Sequence, residues 1–128
     1  MARPRQEGLT PRESQIMDVI WRLGEATVED IQQELDTELV DSTVRTLLSI
    51  MQDKQYVDFR KQGKAKVFRA LIPREQVQRT ALQHLLHRVF QGSVDLLVAR
   101  LVEDEQLSLE ELDRLRCLLR RQRKERGP

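Results

Sequence analysis

The stretch DSTVRTLLSIMQDKQYV, residues 41–57, contains the pattern that decides the fold. Its apolar residues recur at intervals of three and four, the spacing of a stripe that one face of a helix can bury. These residues are Val44, Leu47, Leu48 and Met51. The opposite face carries Ser42, Thr46 and Ser49, with Arg45 on its flank. Because this face lacks the long Glu and Lys side chains of an ordinary solvated helix, we expect it to contact another molecule closely.

Two further helices are predicted before this one. Thr10 is a suitable N-cap, Pro11 fits the first helical position, and Glu13 completes a capping box. Gly24 is a natural end for that helix, and Thr27 can cap a second, shorter helix. Three short helices joined by tight turns match a helix-turn-helix core.

After the third helix the pattern changes to the alternation that is typical of β-strands, in YVDFRKQGKAKVFRAL, residues 56–71. The alternating apolar residues are Val57 and Phe59 in the first strand and Phe68 and Ala70 in the second. We expect the hairpin turn at Gln62-Gly63. The hairpin tip carries Lys61, Lys64 and Lys66. A helix-turn-helix that is followed directly by a basic hairpin is a winged helix, so residues 1–72 are predicted to form a winged-helix DNA-binding domain.

Residues 73–128 are predicted to form three more helices and a basic C-terminal tail, so the fold class is mainly α with a small β-hairpin. The apolar stripes of these helices are too wide for so short a segment to bury alone, and a second copy of the chain is the usual solution. We therefore interpret this region as a dimerisation module. The residues expected at the interface are Leu85, Val89, Val94, Leu97, Val98, Leu101, Leu112 and Leu115.

The charge is nearly balanced overall, at +1, but it is unevenly distributed. Residues 25–41 contain seven acidic residues and no Lys or Arg, whereas residues 42–69 contain seven basic and two acidic residues, a net +5. Such a switch suggests one face that is built for an anion. In a helix-turn-helix the third helix enters the DNA major groove, and basic residues of the wing contact phosphates. The predicted DNA-binding residues are Ser42, Arg45, Thr46, Ser49, Lys61, Lys64 and Lys66.

The acidic segment leaves an alternative open, a winged-helix module that binds protein and not DNA. Other classes of function find little support in the sequence. His84 and His87 are two potential ligands without a third, and the single cysteine, Cys117, excludes a multi-cysteine site within one chain, so no metal or cofactor is expected. No catalytic motif is present, and the chain is not expected to be an enzyme. Without an apolar run of membrane length or a signal peptide, we expect no membrane insertion and a cytoplasmic protein.

Four motifs in order resemble the penicillinase-repressor family of bacterial transcription regulators, the BlaI/MecI kind. They are LTPRESQIMDVIW at 9–21, TVRTLL at 43–48, GKAKVFRAL at 63–71, and VFQGSVDLLVARLVEDEQLSLEELDRL at 89–115. The resemblance implies a winged-helix homodimer that represses transcription at a dyad-symmetric operator. It also implies relief when a membrane sensor metallopeptidase leads to cleavage in the dimerisation region. The DNA-facing positions would be Thr43, Arg45 and Thr46, with the wing around Lys64.

The sequence departs from the family pattern at several positions. Ser49 and Ile50 occupy positions where basic residues are common, and Gln55 stands where glycine is common. The pair Arg100-Leu101 aligns with the Asn-Phe pair that is cleaved in the best-known members. The lone Cys117 does not match the cysteine motif of the copper-responsive branch.

Overall fold

The computed structural model describes residues 8–35 and 39–126, so Asp36 and Glu38 of the acidic segment lie outside the described residues. The elements in chain order are α1 (Pro11–Leu23), β1 (Glu25–Ala26), α2 (Val28–Glu34), α3 (Asp41–Asp53), β2 (Val57–Gln62), β3 (Ala65–Ala70), α4 (Arg74–Arg88), α5 (Val94–Glu103) and α6 (Leu109–Glu125). The chain divides into two compact units, Met1–Ala81 and Leu82–Pro128, so the first turns of α4 belong to the first unit. The functional boundary expected between residues 72 and 73 stays a prediction.

Helices α1 and α2 begin where the sequence predicts. The Thr10 hydroxyl accepts a hydrogen bond from the Glu13 amide at 3.2 Å, and the Glu13 carboxylate accepts one from the Thr10 amide at 2.8 Å. Thr27 and Asp30 form the same reciprocal pair at the start of α2. Gly24 ends α1 at φ 86°, a conformation that a side chain would strain, and its amide donates to the Ile20 carbonyl. These caps fix both ends of α1 and the start of α2.

The sheet is antiparallel and has three strands in the order β1-β3-β2. Phe59 pairs with Phe68 and Val57 with Ala70, so the predicted strands and their shared apolar face are confirmed. Strand β1 was not predicted, because two residues are too few to show a period. The predicted turn was wrong by one residue. Gln62 pairs with Ala65, which leaves Gly63-Lys64 as the turn, and Gly63 has a φ of 64°, as expected of a glycine in the first position of a type II′ turn.

The core of the first unit lies where the three helices meet the base of the sheet. It includes Ile16, Met17, Ile20, Ile31, Val44, Leu48, Met51 and Val57, each fully buried. Trp21 and Leu47 pack against this cluster while remaining partly exposed. The Trp21 indole donates to the Ile72 carbonyl at 2.9 Å, which fixes the chain leaving β3 against α1. The order of helices and strands and the location of this core are those of a winged helix.

The second unit consists of the later part of α4 with α5 and α6. Ser93 caps α5, and Ser108 caps α6 with Glu111 in a capping box. Gly92, after the end of α4, adopts a φ of 78°. No residue of α4, α5 or α6 is buried within the described part of the chain. These helices therefore have local signals for their ends but no core of their own.

A buried ion pair joins the start of α1 to the end of α3. The Lys54 ammonium donates to the two Glu13 carboxylate oxygens at 2.9 and 3.2 Å, and Glu13 is only 1% exposed. Desolvation opposes ionisation of Glu13, but hydrogen bonds from Thr10 and Lys54 outweigh it, so the pKa of Glu13 falls below its ordinary 4.5. Because the folded-state pKa is lowered, this group stabilises the fold above the unfolded-state pKa and ceases to do so as pH falls through the folded value.

We predict that Glu13→Gln lowers the free energy of unfolding at neutral pH by about 1.5–3 kcal/mol, the range for hydrogen bonds to charged groups. The variant should also lose less stability than the wild type on acidification below about pH 4.5, since one carboxylate with a lowered pKa is gone. Urea unfolding across pH measures both effects. The exposed first-turn acid Glu29, changed to Gln, is the control and should cost less, about 0.3–1 kcal/mol for a lost first-turn acid. A Glu13→Gln variant with unchanged neutral stability would contradict the prediction.

The turn that ends α3 places a glutamine in a left-handed conformation. Gln55 has a φ of 69°; its amide donates to the Gln52 carbonyl, and the Tyr56 amide donates to the Met51 carbonyl, each at 2.9 Å. These two bonds define a Schellman motif, in which glycine usually occupies the left-handed position. The departure from the family pattern noted at Gln55 is therefore a site of backbone strain.

We predict that Gln55→Gly raises the free energy of unfolding by about 0.5–1 kcal/mol. Relief of the left-handed strain is worth roughly 1–2 kcal/mol, and the larger entropy of glycine in the unfolded chain offsets part of it. Gln55→Ala is the matched control, because it retains Cβ and should give no gain. Chemical denaturation of the three proteins tests this, and equal stability of the Gly and Ala variants would show that the strain is absent.

Candidate nucleic-acid interface

The outward face of α3 consists of the residues that the sequence predicts. Val44, Leu48 and Met51 are fully buried on the opposite side of the helix. The residues on the outward side are Ser42, Thr43, Arg45, Thr46 and Ser49, all exposed. The Thr46 hydroxyl donates to the Ser42 carbonyl at 2.9 Å, so its proton is used within the helix and its methyl group and lone pairs remain for an outside contact. The face is therefore small, polar and accessible.

Arg45 is held by an acidic residue one turn before it. Its Nε donates to the Asp41 carboxylate, and the two side chains are 58% and 56% exposed. Asp41 is the first residue of α3, and the N-cap residue Val40 makes no side-chain cap. The spacing of four residues is the one that lets such a pair form on a helix. This spacing is visible in the sequence and could have indicated the pair.

The wing brings its lysines to one face. Lys61 and Lys66 lie directly opposite each other in the register, and Lys64 lies in the turn. Successive strand residues alternate in direction, so Lys61 and Lys66 share the face of Phe59 and Phe68. The Lys66 ammonium lies 4.5 Å from the centroid of the Phe59 ring, a cation–π contact that orients it. Like charges opposite each other in a sheet repel, which favours the binding of an anion between them.

On the opposite face of the wing, the positive charge of Arg60 is paired with a carboxylate. Arg60 donates to the Glu25 carboxylate at 2.8 Å, and this hydrogen bond lowers the pKa of Glu25. Lys61, Lys64 and Lys66 form no ion pair with any residue in 8–35 or 39–126. Lys61, Lys64 and Lys66 thus leave positive charge on the wing for a partner.

A groove of about 330 Å³ lies between the start of α2, the start of α3 and the wing. It is lined by Thr27, Val28, Glu29, Asp41, Arg45, Lys64, Ala65 and Lys66. A smaller adjoining groove is lined by Val28, Arg45, Ser49, Gln52, Lys66 and Phe68. Of the predicted DNA-binding residues, the structure brings Arg45, Ser49, Lys64 and Lys66 together around these grooves. The remaining four, Ser42, Thr43, Thr46 and Lys61, line neither groove.

The residues predicted for the dimer interface all belong to the second unit. Leu97 and Leu112 are partly exposed, and the other six are exposed: Leu85, Val89, Val94, Val98, Leu101 and Leu115. Several further large apolar residues of this unit are also exposed, including Val102, Leu118 and Leu119. The unit thus presents an apolar surface that its own helices do not cover.

Other kinds of site find no support among the described residues. Within residues 8–35 and 39–126, no group of three or more His, Cys, Asp or Glu side chains is placed to hold a metal ion. His87 contacts Gln83, and Cys117 is an exposed free thiol. In the same part of the chain, no helix combines the length and apolar character that crossing a membrane requires.

The sequence profile of the penicillinase repressor family matches residues 9–121. The chain belongs to the penicillinase repressor family. Methicillin resistance regulatory protein MecI of Mammaliicoccus sciuri is 26% identical over 113 residues, which cover 87% of this chain and 92% of the relative. The penicillinase repressor of Bacillus licheniformis is 25% identical over 113 residues, covering 87% and 88%.

A solved structure, the DNA-binding domain of the repressor BlaI, is 21% identical to this chain with a TM-score of 0.48. The matched region covers 57% of this chain and 88% of the BlaI domain. The family match ends at residue 121, so the last basic residues of the tail lie beyond it.

Proposed function

We propose that this protein is a sequence-specific DNA-binding transcriptional repressor that acts as a homodimer on a dyad-symmetric operator. The observation that carries the proposal is the groove in which Arg45 of α3 meets Lys64 and Lys66 of the wing, beside the exposed hydroxyl face of α3. Membership of the penicillinase repressor family supports it, because the relative from Bacillus licheniformis is a penicillinase repressor and MecI is a regulatory protein. As a regulator, the chain is not expected to catalyse a reaction.

The division of roles follows from the chemistry of the side chains. Ser42, Thr43 and Thr46 are short enough for α3 to enter the major groove closely, and Arg45 can bond the O6 and N7 of guanine. Lys61, Lys64 and Lys66 are suited to phosphates, which fix the position of the protein and make its affinity sensitive to salt. Sequence reading is thus assigned to α3 and general DNA affinity to the wing.

The homodimer is proposed from the second unit. Helices α4, α5 and α6 contain no buried residue, yet they carry many large apolar side chains. A second copy that covers this surface would remove it from water, which is the main favourable term in association. Two linked heads would bind a symmetric operator with far higher affinity than one head, since the second contact becomes intramolecular.

Relief of repression is proposed to act through this same unit. A signal that loosens or cuts the dimerisation region would separate the two heads without altering the DNA-facing residues. A sensor metallopeptidase is the candidate agent suggested by the family. The pair Arg100-Leu101 lies on α5, where Arg100 forms an ion pair with Glu103 at 3.0 Å. Limited proteolysis of this helix followed by DNA titration would show whether cutting there releases DNA.

For DNA binding, we predict that Arg45→Ala weakens binding to the operator by about 1–3 kcal/mol, the contribution of one good bidentate base contact. Its binding to random DNA should change much less. Lys64→Ala should weaken binding to both DNAs similarly and reduce the salt dependence by about one phosphate contact. Titration of a labelled fragment from upstream of the protein's own gene, at several salt concentrations, measures these effects.

Two results would contradict parts of this assignment. Equal losses on both DNAs for Arg45→Ala would make Arg45 a phosphate contact. A wild-type protein that binds neither DNA at low salt would favour the alternative, a winged-helix module that binds protein, for which the acidic residues Glu29 and Asp41 in the groove are the supporting observation.

For assembly, we predict that Leu101→Asp breaks the dimer, because an unpaired carboxylate at the seam would cost several kcal/mol, on the order of 3–5 kcal/mol for a buried unpaired charge. Light scattering should then show a monomer or an aggregate. Leu109→Asp is the matched control, since Leu109 is 80% exposed in the first turn of α6, where an acid is favourable. If the Leu101→Asp protein remains a stable dimer, the dimer interface does not include Leu101.

A further inference from the structure

Asp41 is an acidic residue in direct contact with the side chain that is proposed to read a base. It lies one turn before Arg45 on α3, accepts a hydrogen bond from its Nε, and lines the same groove. A carboxylate that faces DNA repels phosphates, so its presence on the proposed recognition helix requires an explanation. The role of an ordinary first-turn acid does not account for its bond to Arg45.

The geometry of the pair leaves one edge of the guanidinium open. Asp41 occupies Nε, while the two terminal nitrogens of Arg45 have no hydrogen-bond partner among residues 8–35 and 39–126. Recognition of guanine uses two parallel N–H donors directed at O6 and N7. The terminal nitrogens can supply these donors while Nε remains on Asp41. An arginine that is already held in one orientation loses less side-chain entropy when it binds.

The same contact disfavours the use of Arg45 on phosphates. To reach a backbone phosphate by turning away from α3, Arg45 would have to leave Asp41, and the freed carboxylate would then lie unpaired near other phosphates. Lys64 and Lys66, on the far side of the groove, can hold phosphates without such a cost. A penalty that applies only to the wrong mode of binding increases specificity.

We propose that Asp41 is a positioning residue that orients Arg45 toward a guanine and lowers affinity for non-cognate DNA. This inference rests on the proposed DNA-binding function and assigns to Asp41 the discrimination between operator and other sequences. Glu29, which also lines the groove but forms no ion pair with a described residue, has no such role and provides an internal comparison.

The test uses the full-length chain and two duplexes. One is the sequence that the wild type enriches most from a random duplex library, and the other is a scrambled duplex of equal composition. Asp41→Asn should reduce the ratio of the two affinities about tenfold, within the range for loss of one oriented base contact, with scrambled DNA bound as well as before or better. Glu29→Gln should raise both affinities together and leave the ratio unchanged.

The double variant separates an effect through Arg45 from a direct effect on DNA. In an Arg45→Ala background, Asp41→Asn should produce no further change in the ratio. A ratio that Asp41→Asn leaves unchanged, or that falls equally in the Arg45→Ala background, overturns the inference. Asp41→Ser, which also removes the carboxylate, should show the same loss, and unchanged circular dichroism of both variants guards against an effect of folding. If the wild type enriches no sequence at all, the proposed function itself fails, which is a distinct result.

Discussion

The buried ion pair between Glu13 and Lys54 joins the start of α1 to the end of α3, the helix that carries the DNA-facing surface. Glu13 caps α1 through Thr10 and at the same time holds the last turn of α3 through Lys54. A buried carboxylate is costly unless it is both paired and hydrogen-bonded, and here each requirement is met by a different element. The position of α3 relative to α1 is therefore constrained by a charge as well as by apolar packing. The outward direction of Arg45 follows from that constraint.

Amphipathic pattern and capping residues were sufficient to predict helices α1, α2 and α3 from sequence. The stripe of Val44, Leu48 and Met51 is fully buried, and the helix starts at Thr10 and Thr27 are where they were expected. The strand of two residues at Glu25–Ala26 and the position of the hairpin turn depend on pairing across the sheet, which local periodicity does not encode. The amphipathic pattern therefore predicted the longer helices and strands, whereas pairing across the sheet determined the short strand β1 and the exact turn.

The exposed face of α3 and the basic wing were predictable from the sequence, whereas their arrangement around the groove was not. The exposed hydroxyl face of α3 follows from its period, and the basic wing follows from its composition. The contact of Arg45 with Asp41 and the meeting of Arg45 with Lys64 and Lys66 depend on rotamers and on the angle between helix and wing. Sequence reasoning weighed the acids of residues 25–41 as a total charge, whereas the structure assigns them separate partners, such as Arg22 for Glu34 and Arg60 for Glu25.

These separate partners change how the acidic segment bears on function. Glu25 and Glu34 are each paired with an arginine, and Asp30 caps α2, so these three carboxylates are engaged within the protein. Among the acids of the segment that the structure describes, only Glu29 and Asp41 line the groove, and Asp41 is already bonded to Arg45. At the groove itself, the described acids therefore present two carboxylates, and one of them is already paired. A recognition surface with a few well-placed acids gains specificity at the cost of general affinity, and a dimer can restore that affinity by binding through two heads at once.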